Sequence, residues 1–306
     1  MESVVQSIWK RSKFAEGNPM HVSFTRISIK EEGMDTVQVL NDGIVESFDW
    51  HRDKQVTARK GAGDSPEDRA LLIQTKENLK RLKEIFPEVA TFEINSSFGE
   101  NLLIEGNLGP KTLCVGDVLH FKRRNEIVCA IKITSPRWPC YKIDMKHSKT
   151  LNHLARKDRV RAICGEAGLG GFFCKVVQEG TVAFGDQLVL AERYHPKWTM
   201  ERLSEVFYGG TNRENCAIDV FQGSEEELEE LLHLEDLATF EWRDRLEKYV
   251  EKKQNPEPVP ENKGQSEATE AEPSREIKLH EKKESPFLKI SVYVLLFTIF
   301  IFIILY

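Results

Sequence analysis

Ile127-Val128-Cys129-Ala130-Ile131-Lys132-Ile133-Thr134 runs straight into Ser135-Pro136-Arg137-Trp138-Pro139-Cys140-Tyr141. The first half alternates, with Ile127, Cys129, Ile131 and Ile133 on one face, the pattern of a half-buried strand whose apolar side is core. The second half is stiff, because Pro136 and Pro139 fix φ. Arg137 lies near enough in sequence to favour a thiolate at Cys140. A rigid sulfur beside a cation suits a nucleophile or a soft-metal ligand. The competing reading is a buried, inert thiol, since free cysteine is among the most buried residue types.

Outward from this segment, short β-branched or alternating runs recur at His21 to Ile29, Thr36 to Leu40, Leu102 to Ile104 and Val182 to Leu190, divided by Gly, Asn and Asp turns. One helix interrupts them. Thr75 caps it, Glu77 favours its first turn, Leu79, Leu82, Ile85 and Phe86 form its apolar stripe, and Pro87 stops it. Many strands and few helices predict a mainly β, barrel-like domain over residues 1–193 rather than a doubly wound α/β fold. After Arg193 the pattern becomes helical. Thr199 caps a helix carrying Met200, Leu203, Val206 and Phe207, and Glu225 to His233 and Leu237 to Val250 supply two more. These form a small three-helix domain over residues 194–251.

Residues 252–286 hold Pro256, Pro258, Pro260, Pro273 and Pro286 among many Glu and Lys, which predicts a disordered tether. From Phe287 the last twenty residues are apolar apart from Lys289, and as a helix they span about 30 Å. The expectation is one transmembrane helix at 287–306 in a tail-anchored protein. The folded part and Lys282 and Lys283 would face the cytosol. The endoplasmic reticulum is favoured over the mitochondrial outer membrane.

The formal charge of −6 and the lack of a basic stripe argue against a nucleic-acid polymer as partner, while small anions remain compatible. Six cysteines are scattered without a C-x-x-C pair, and Met1 to Gln6 lacks an apolar run, the usage of a reduced compartment. Gly165-Glu166-Ala167-Gly168-Leu169-Gly170-Gly171 lacks the Lys-Ser/Thr of a phosphate loop and reads as an ordinary loop whose backbone donors can face a phosphate. Gly116-Asp117 and Gly185-Asp186 read as turns.

In order along the chain stand Phe98-Gly99-Glu100-Asn101-Leu102 with Glu105-Gly106, Cys114-Val115-Gly116-Asp117, Ser135 to Lys142, and Gly180 with Gly185-Asp186. This ordered set resembles the MOSC family, β-barrel domains related to the C-terminal part of molybdenum cofactor sulfurase. Within the family it resembles the YiiM-type members that carry a helical appendage. That likeness starts at His195-Pro196-Lys197-Trp198-Thr199 and continues to Trp242-Arg243, so most of residues 1–250 is covered. Val56-Thr57-Ala58-Arg59 and Leu71-Leu72-Ile73 are locally similar to the mitochondrial amidoxime-reducing members. Where YiiM-type proteins have a His-Gly-Gly segment, this chain has Arg59-Lys60-Gly61-Ala62-Gly63-Asp64, which leaves substrate preference open.

The resemblance implies that Cys140 is the thiolate ligand to the metal of a molybdenum-pterin cofactor. Arg59 and Arg137 would meet the pterin phosphate, with Lys142 as a point charge and Asn101 and Ser135 as neutral hydrogen-bonding groups. Asp117 would organise its turn, and Asp64 is the candidate proton donor. The implied activity is two-electron reduction of N-hydroxylated compounds, such as hydroxylaminopurines, hydroxylamines or amidoximes. Electrons would come from an external haem or flavin protein. Other readings are a molybdenum cofactor carrier, a sulfurtransferase using a Cys140 persulfide, and a membrane-tethered interaction protein. The chain has no room for a complete pyridoxal-phosphate-dependent desulfurase domain, and its oligomeric state is open.

Overall fold

The structure, a computed structural model, describes residues 1–11, 26–31, 33–41, 43–45, 66–90, 92, 96–137, 141–146, 148–151, 153–155, 158–208, 211–212, 217–218 and 221–255. Its strands are β1 (Glu2–Arg11), β2 (Arg26–Ser28), β3 (Thr36–Leu40), β4 (Gly43–Ile44), β5 (Leu71–Thr75), β6 (Leu102–Gly106), β7 (Val118–Arg123), β8 (Glu126–Pro136), β9 (Phe172–Gln178), β10 (Gly180–Ala183), β11 (Gln187–Glu192), β12 (Thr211–Asn212) and β13 (Ala217–Ile218). Its helices are α1 (Lys76–Ile85), α2 (Tyr141–Lys146), α3 (Ser148–Leu151), α4 (Val160–Ala167), α5 (Met200–Tyr208), α6 (Glu225–Leu232) and α7 (Asp244–Gln254), the last preceded by a π-helical turn at Thr239–Arg243.

Seven strands close into a barrel in the order β11-β7-β8-β9-β5-β6-β1, with β1 returning to β11. Strand β1 makes the closure because its first residues pair on both sides, Val4 with Gln187 of β11 and with Glu105 of β6. Closure leaves no unpaired edge in that ring. Strands β5 and β6 form a parallel pair, and the crossover such a pair requires carries α1. Asn78 donates its N–H to the Thr75 hydroxyl, the cap expected from the sequence.

Barrel residues Val5, Ile73, Ile104, Leu119, Phe121, Ile131, Ile133 and Phe172 are buried in one continuous core with Trp198, Leu203, Phe207, Leu231, Trp242 and Leu246 of the C-terminal helices. Met1–Glu257 is accordingly one compact unit. A second core lies under α1, α2 and α4, where Leu79, Leu82, Phe98, Ile143, Val160 and Leu169 meet Leu72. Strand β5 is thus buried on both faces, Leu71 and Ile73 toward the first core and Leu72 toward the second.

Several details differ from the alternation-based expectation. Cys129, Ile131 and Ile133 are buried, but Ile127 is 43% exposed. Register shifts at Ala130/Ile131 and Ile133/Ser135 interrupt the period of two. The Val182 to Leu190 run is two strands, β10 and β11, separated at Gly185-Asp186. Of His21 to Ile29, the described part pairs only as Arg26–Ser28. Helix α7 continues to Gln254, so residues 252–254 are helical. Among the described residues no helix is long and apolar enough to cross a membrane. Residues 256–306, with most of the expected tether and the whole expected span, lie outside them.

The two Gly-Asp turns are one device used twice. Gly116 and Gly185 have φ of +78° and +84°, a region that favours glycine. Asp117 accepts the Cys114 N–H at 2.8 Å and is held by Arg193 Nε and Nη2 at 2.9 and 2.7 Å. Asp186 accepts the Ala183 N–H at 2.7 Å and is held by Arg123 Nε and Nη2 at 2.7 and 2.8 Å. Asp117 therefore organises its turn, as expected, and also joins it to the segment leading into the helices.

Charge docks the helices as well. Lys132 and Lys175 stand directly opposite each other on β8 and β9, a like-charge pairing that destabilises a sheet. Asp236, from the loop after α6, lies 3.0 Å from Lys132 Nζ and 4.0 Å from Lys175 Nζ, with His195 Nε2 at 3.3 Å. A Cβ on Gly116 would come within 2.7 Å of Asp236 Oδ2 and 2.8 Å of His195 Cδ2, so glycine is needed here for space as well as for φ. Burial pushes the Asp236 carboxyl up, but Lys132, His195 and Lys175 together outweigh it and hold the group below its ordinary value. A depressed folded-state value means stability present above the unfolded carboxyl pKa of about 4 and lost as pH falls through the folded one. Asp236→Asn should therefore lower the urea midpoint at pH 7 and flatten its decline below about pH 4. An acid limb identical to that of the parent protein would contradict this role.

Candidate functional site

The paired part of β8 ends at Pro136, opposite Phe172, and the Arg137 N–H donates to the Gly171 carbonyl at 2.9 Å. Ser135 is buried at 1% exposure, while Arg137 is half-buried. Arg137 Nη1 donates to the Phe98 carbonyl, and its guanidinium carbon lies 5.9 Å from the Phe98 ring centroid. Lys146 at the end of α2 donates Nζ to the Ser96 and Ser97 carbonyls at 2.6 and 2.9 Å. Three consecutive carbonyls thus receive the two cations at the ends of the 137–146 segment, within which Cys140 falls.

Glu100 shapes that carbonyl run. It is 1% exposed, and its Oε2 accepts the Phe98 N–H at 2.9 Å and the Ser96 hydroxyl at 3.0 Å. Asn101 fastens the loop to the barrel. Its N–H donates to the Leu72 carbonyl at 2.8 Å, its Oδ1 accepts the Leu72 N–H at 3.0 Å, and its carbonyl accepts the Trp9 N–H at 2.7 Å. The Asn101 side-chain oxygen therefore serves as a ladder acceptor between β5 and the start of β6.

Asp144 of α2 accepts the Arg161 N–H of α4 at 3.0 Å, which joins these two helices. Of the Gly165 to Gly171 stretch expected as a loop, residues 165–167 belong to α4, and packing explains the glycines that follow. Gly168 caps α4 in the left-handed region. A Cβ on Gly171 would lie 2.4 Å from the Ile73 carbonyl oxygen, so only glycine allows this approach to β5. Gln74, fully buried, donates Nε2 to the Leu169 carbonyl at 3.0 Å.

Asn101, Ser135 and Arg137 are thus brought to the two chain segments that the Arg137–Phe98 hydrogen bond joins. Cys140, Arg59 and Asp64 lie outside the described residues, as does the side chain of Lys142, whose backbone belongs to α2. Glu100 and Lys146 were not singled out in the sequence. Glu100 stands inside the Phe98 to Leu102 motif and was within reach of it, whereas Lys146 carries no local signal.

The four described cysteines, Cys114, Cys129, Cys164 and Cys174, are all buried. Burial pushes the Cys114 thiol up to about 11 and Cys129 to about 12. It raises Cys164 and Cys174 further, with nearby Arg137 offsetting only part of the effect at Cys164. Thiols held protonated in this way are poor nucleophiles and poor ligands. Among the described residues no three His, Cys, Asp or Glu converge as a metal-binding group. A cavity of about 410 Å³ between α1 and the loop after β6, lined by Glu77, Arg81 and Lys111 among others, shares no residue with the cluster around Arg137.

Residues 53–189 match the family model described as MOSC domain. A Gibberella moniliformis protein named "Reductase" is 28% identical over 120 residues, 39% of this chain and 19% of that protein. The uncharacterized protein YflK of Bacillus subtilis is 34% identical over 99 residues, 32% of this chain and 38% of that protein. The matches thus span well under half the length of either curated relative. The crystal structure of YiiM from Escherichia coli superposes with a TM-score of 0.54 at 17% identity, covering 83% of this chain and 93% of that one, a likeness of fold. The match over residues 53–189 takes in just under half of the chain, and over that stretch the barrel and its ordered motifs resemble the MOSC domain.

Proposed function

We propose that this chain is a molybdenum-cofactor-dependent reductase of N-hydroxylated compounds. The observation that carries the reading is the donor set. The four described thiols are buried and held protonated, whereas Cys140 follows β8 on a segment whose two ends bear Arg137 and Lys146. A soft thiolate near a cationic, hydrogen-bonding rim suits an anionic pterin that carries a soft metal. Cys140 would be the metal ligand, and Arg137, Arg59 and Lys142 would meet the phosphate. Ser135 would add a neutral hydrogen bond, and Asp64 would hold the proton. Asn101 would act mainly through the loop it fastens.

When bound, the cofactor supplies the two-electron redox change. The overall reaction is R–NHOH with two electrons and two protons giving R–NH2 and water, the N–O bond breaking and an N–H bond forming. The electrons require an external haem or flavin donor protein. Residues 287–306 would anchor the chain in a membrane, with the endoplasmic reticulum favoured, and confinement there would raise the effective concentration of such a donor. The relative named "Reductase" is consistent with this reading.

Molybdenum and pterin analysis of freshly purified protein tests it, together with turnover of a hydroxylaminopurine using a small artificial reductant. Near-stoichiometric metal and turnover are expected. Absence of both from protein made in a cofactor-competent host would overturn the reading, and cofactor without turnover would favour a carrier. Deleting residues 258–306 should preserve this turnover and weaken coupling to a donor in liposomes. Equal coupling with and without the tail would remove the anchor from electron delivery.

A further inference from the structure

The cavity of about 410 Å³ between α1 and residues 106–112 has walls that carry polar groups the fold leaves unused. Asn78 lines it at 1% exposure. Its amide has a fixed orientation. Gln74 Nε2 donates to the Leu169 carbonyl, so Gln74 Oε1 is the acceptor that takes the Thr75 N–H and Asn78 Nδ2, both at 2.9 Å. Turning the Asn78 amide over would set two oxygens against each other. Asn78 Oδ1 is the atom left over, buried and without a hydrogen-bond partner among the described residues. An unpaired buried acceptor is costly, and native structures seldom keep one without a reason.

The same wall holds a second mismatch. Glu77 and Arg81 stand at i and i+4 with the acid first, the order in which such residues pair on a helix. Both line the cavity, and neither side chain makes an ion pair or hydrogen bond with a described residue. From the loop comes a second cation, Lys111, 68% exposed and 3.8 Å from Glu201, beyond hydrogen-bonding distance. The loop wall is preformed. Its Asn107 and Leu108 N–H groups donate to the Glu2 carbonyl and the Ser3 hydroxyl, and the Thr112 hydroxyl donates to the Asn107 carbonyl at 2.6 Å.

These groups select a ligand by elimination. Arg81 and Lys111 favour an anionic group, and a guanidinium offers a carboxylate a planar fork. A lone anion would face Glu77 and leave Asn78 Oδ1 without a donor, whereas a lone cation would meet two like charges. We infer that this cavity binds a small zwitterion of the α-amino-acid class. The carboxylate goes to Arg81 and Lys111, and the ammonium, a donor only, to Glu77 and Asn78 Oδ1. A volume of about 410 Å³ lies within the range of small-molecule sites. The site stands independently of the role of Cys140.

The test uses the full chain with the standard L-amino acids as probes, and with acetate, ethylammonium and inorganic phosphate as single-charge controls. Thermal unfolding screens them, and calorimetry measures those that bind. At about ten times its dissociation constant an amino acid that fits should raise the unfolding midpoint by about 3 °C or more, and the controls at the same concentration should not. Arg81→Gln should weaken that binding about tenfold or more, and Glu77→Gln about threefold. Should Arg81→Gln fail to fold, Lys111→Gln on the exposed loop carries the same comparison. No binding by any amino acid would overturn the site, as would binding that Arg81→Gln or its substitute leaves unchanged. Acetate or phosphate binding as tightly as the best amino acid would overturn the zwitterion assignment.

Discussion

Cys140→Ser is expected to lower reductant-driven turnover by about a thousandfold or more while leaving the urea midpoint unchanged. A serine hydroxyl is nearly isosteric with the thiol but is a hard, protonated ligand at neutral pH, so the soft donor is lost with little change in packing. Molybdenum content should fall with activity if the thiolate also retains the metal. Metal analysis and initial rates on the same preparation read both quantities. Cys129→Ser is the contrasting variant. Cys129 is fully buried with its thiol pushed up to about 12, so its loss should register in stability before chemistry. Unchanged metal and turnover in Cys140→Ser would exclude the residue from the site.

Asp117→Ala should be the most damaging single change to the fold, at about 3–5 kcal/mol. The carboxylate is fully buried, and its removal leaves the Arg193 guanidinium, 27% exposed, without its bidentate partner and the Cys114 N–H without an acceptor. A broken buried pair costs far more than the same pair replaced on both sides by apolar groups. Pairing Asp117→Ala with Arg193→Met should therefore recover part of the loss, and a double-mutant cycle on urea midpoints measures how much. Additive effects of the two substitutions would show that the pair is not coupled. Asp186→Ala should cost less, because Arg123 is more exposed, at 34%, and retains more of its hydration when unpaired.

The features legible in the sequence are those whose cause is local. Thr75 and Thr199 each accept a backbone N–H in the first turn of the helix that follows, a three-residue interaction that composition and order reveal directly. The buried face of β8 from Cys129 to Ile133 was equally visible, and so was the barrel class, because many short strands with few helices have few other ways to bury one face each. The ordered motifs from Phe98 to Asp186 carry the resemblance to the MOSC family, and Asn101, Ser135, Arg137 and Cys140 stand within them.

What the tertiary structure decided depends on residues far apart in the chain. Strand β5 hides its register from any alternation test because Leu72 is buried against the second core while Leu71 and Ile73 are buried against the first. The pairing of Val4 with both Gln187 and Glu105, which closes the barrel, joins segments separated by most of its length. Gly116 looks like any turn glycine until Asp236 and His195 are seen against the place its Cβ would occupy. Lys146 is an ordinary lysine until its ammonium meets the carbonyls of Ser96 and Ser97. Residue type and spacing along the chain set the capping, the alternation and the turn chemistry, whereas the partner of a buried charge or the space beside a glycine exists only once distant segments have packed together.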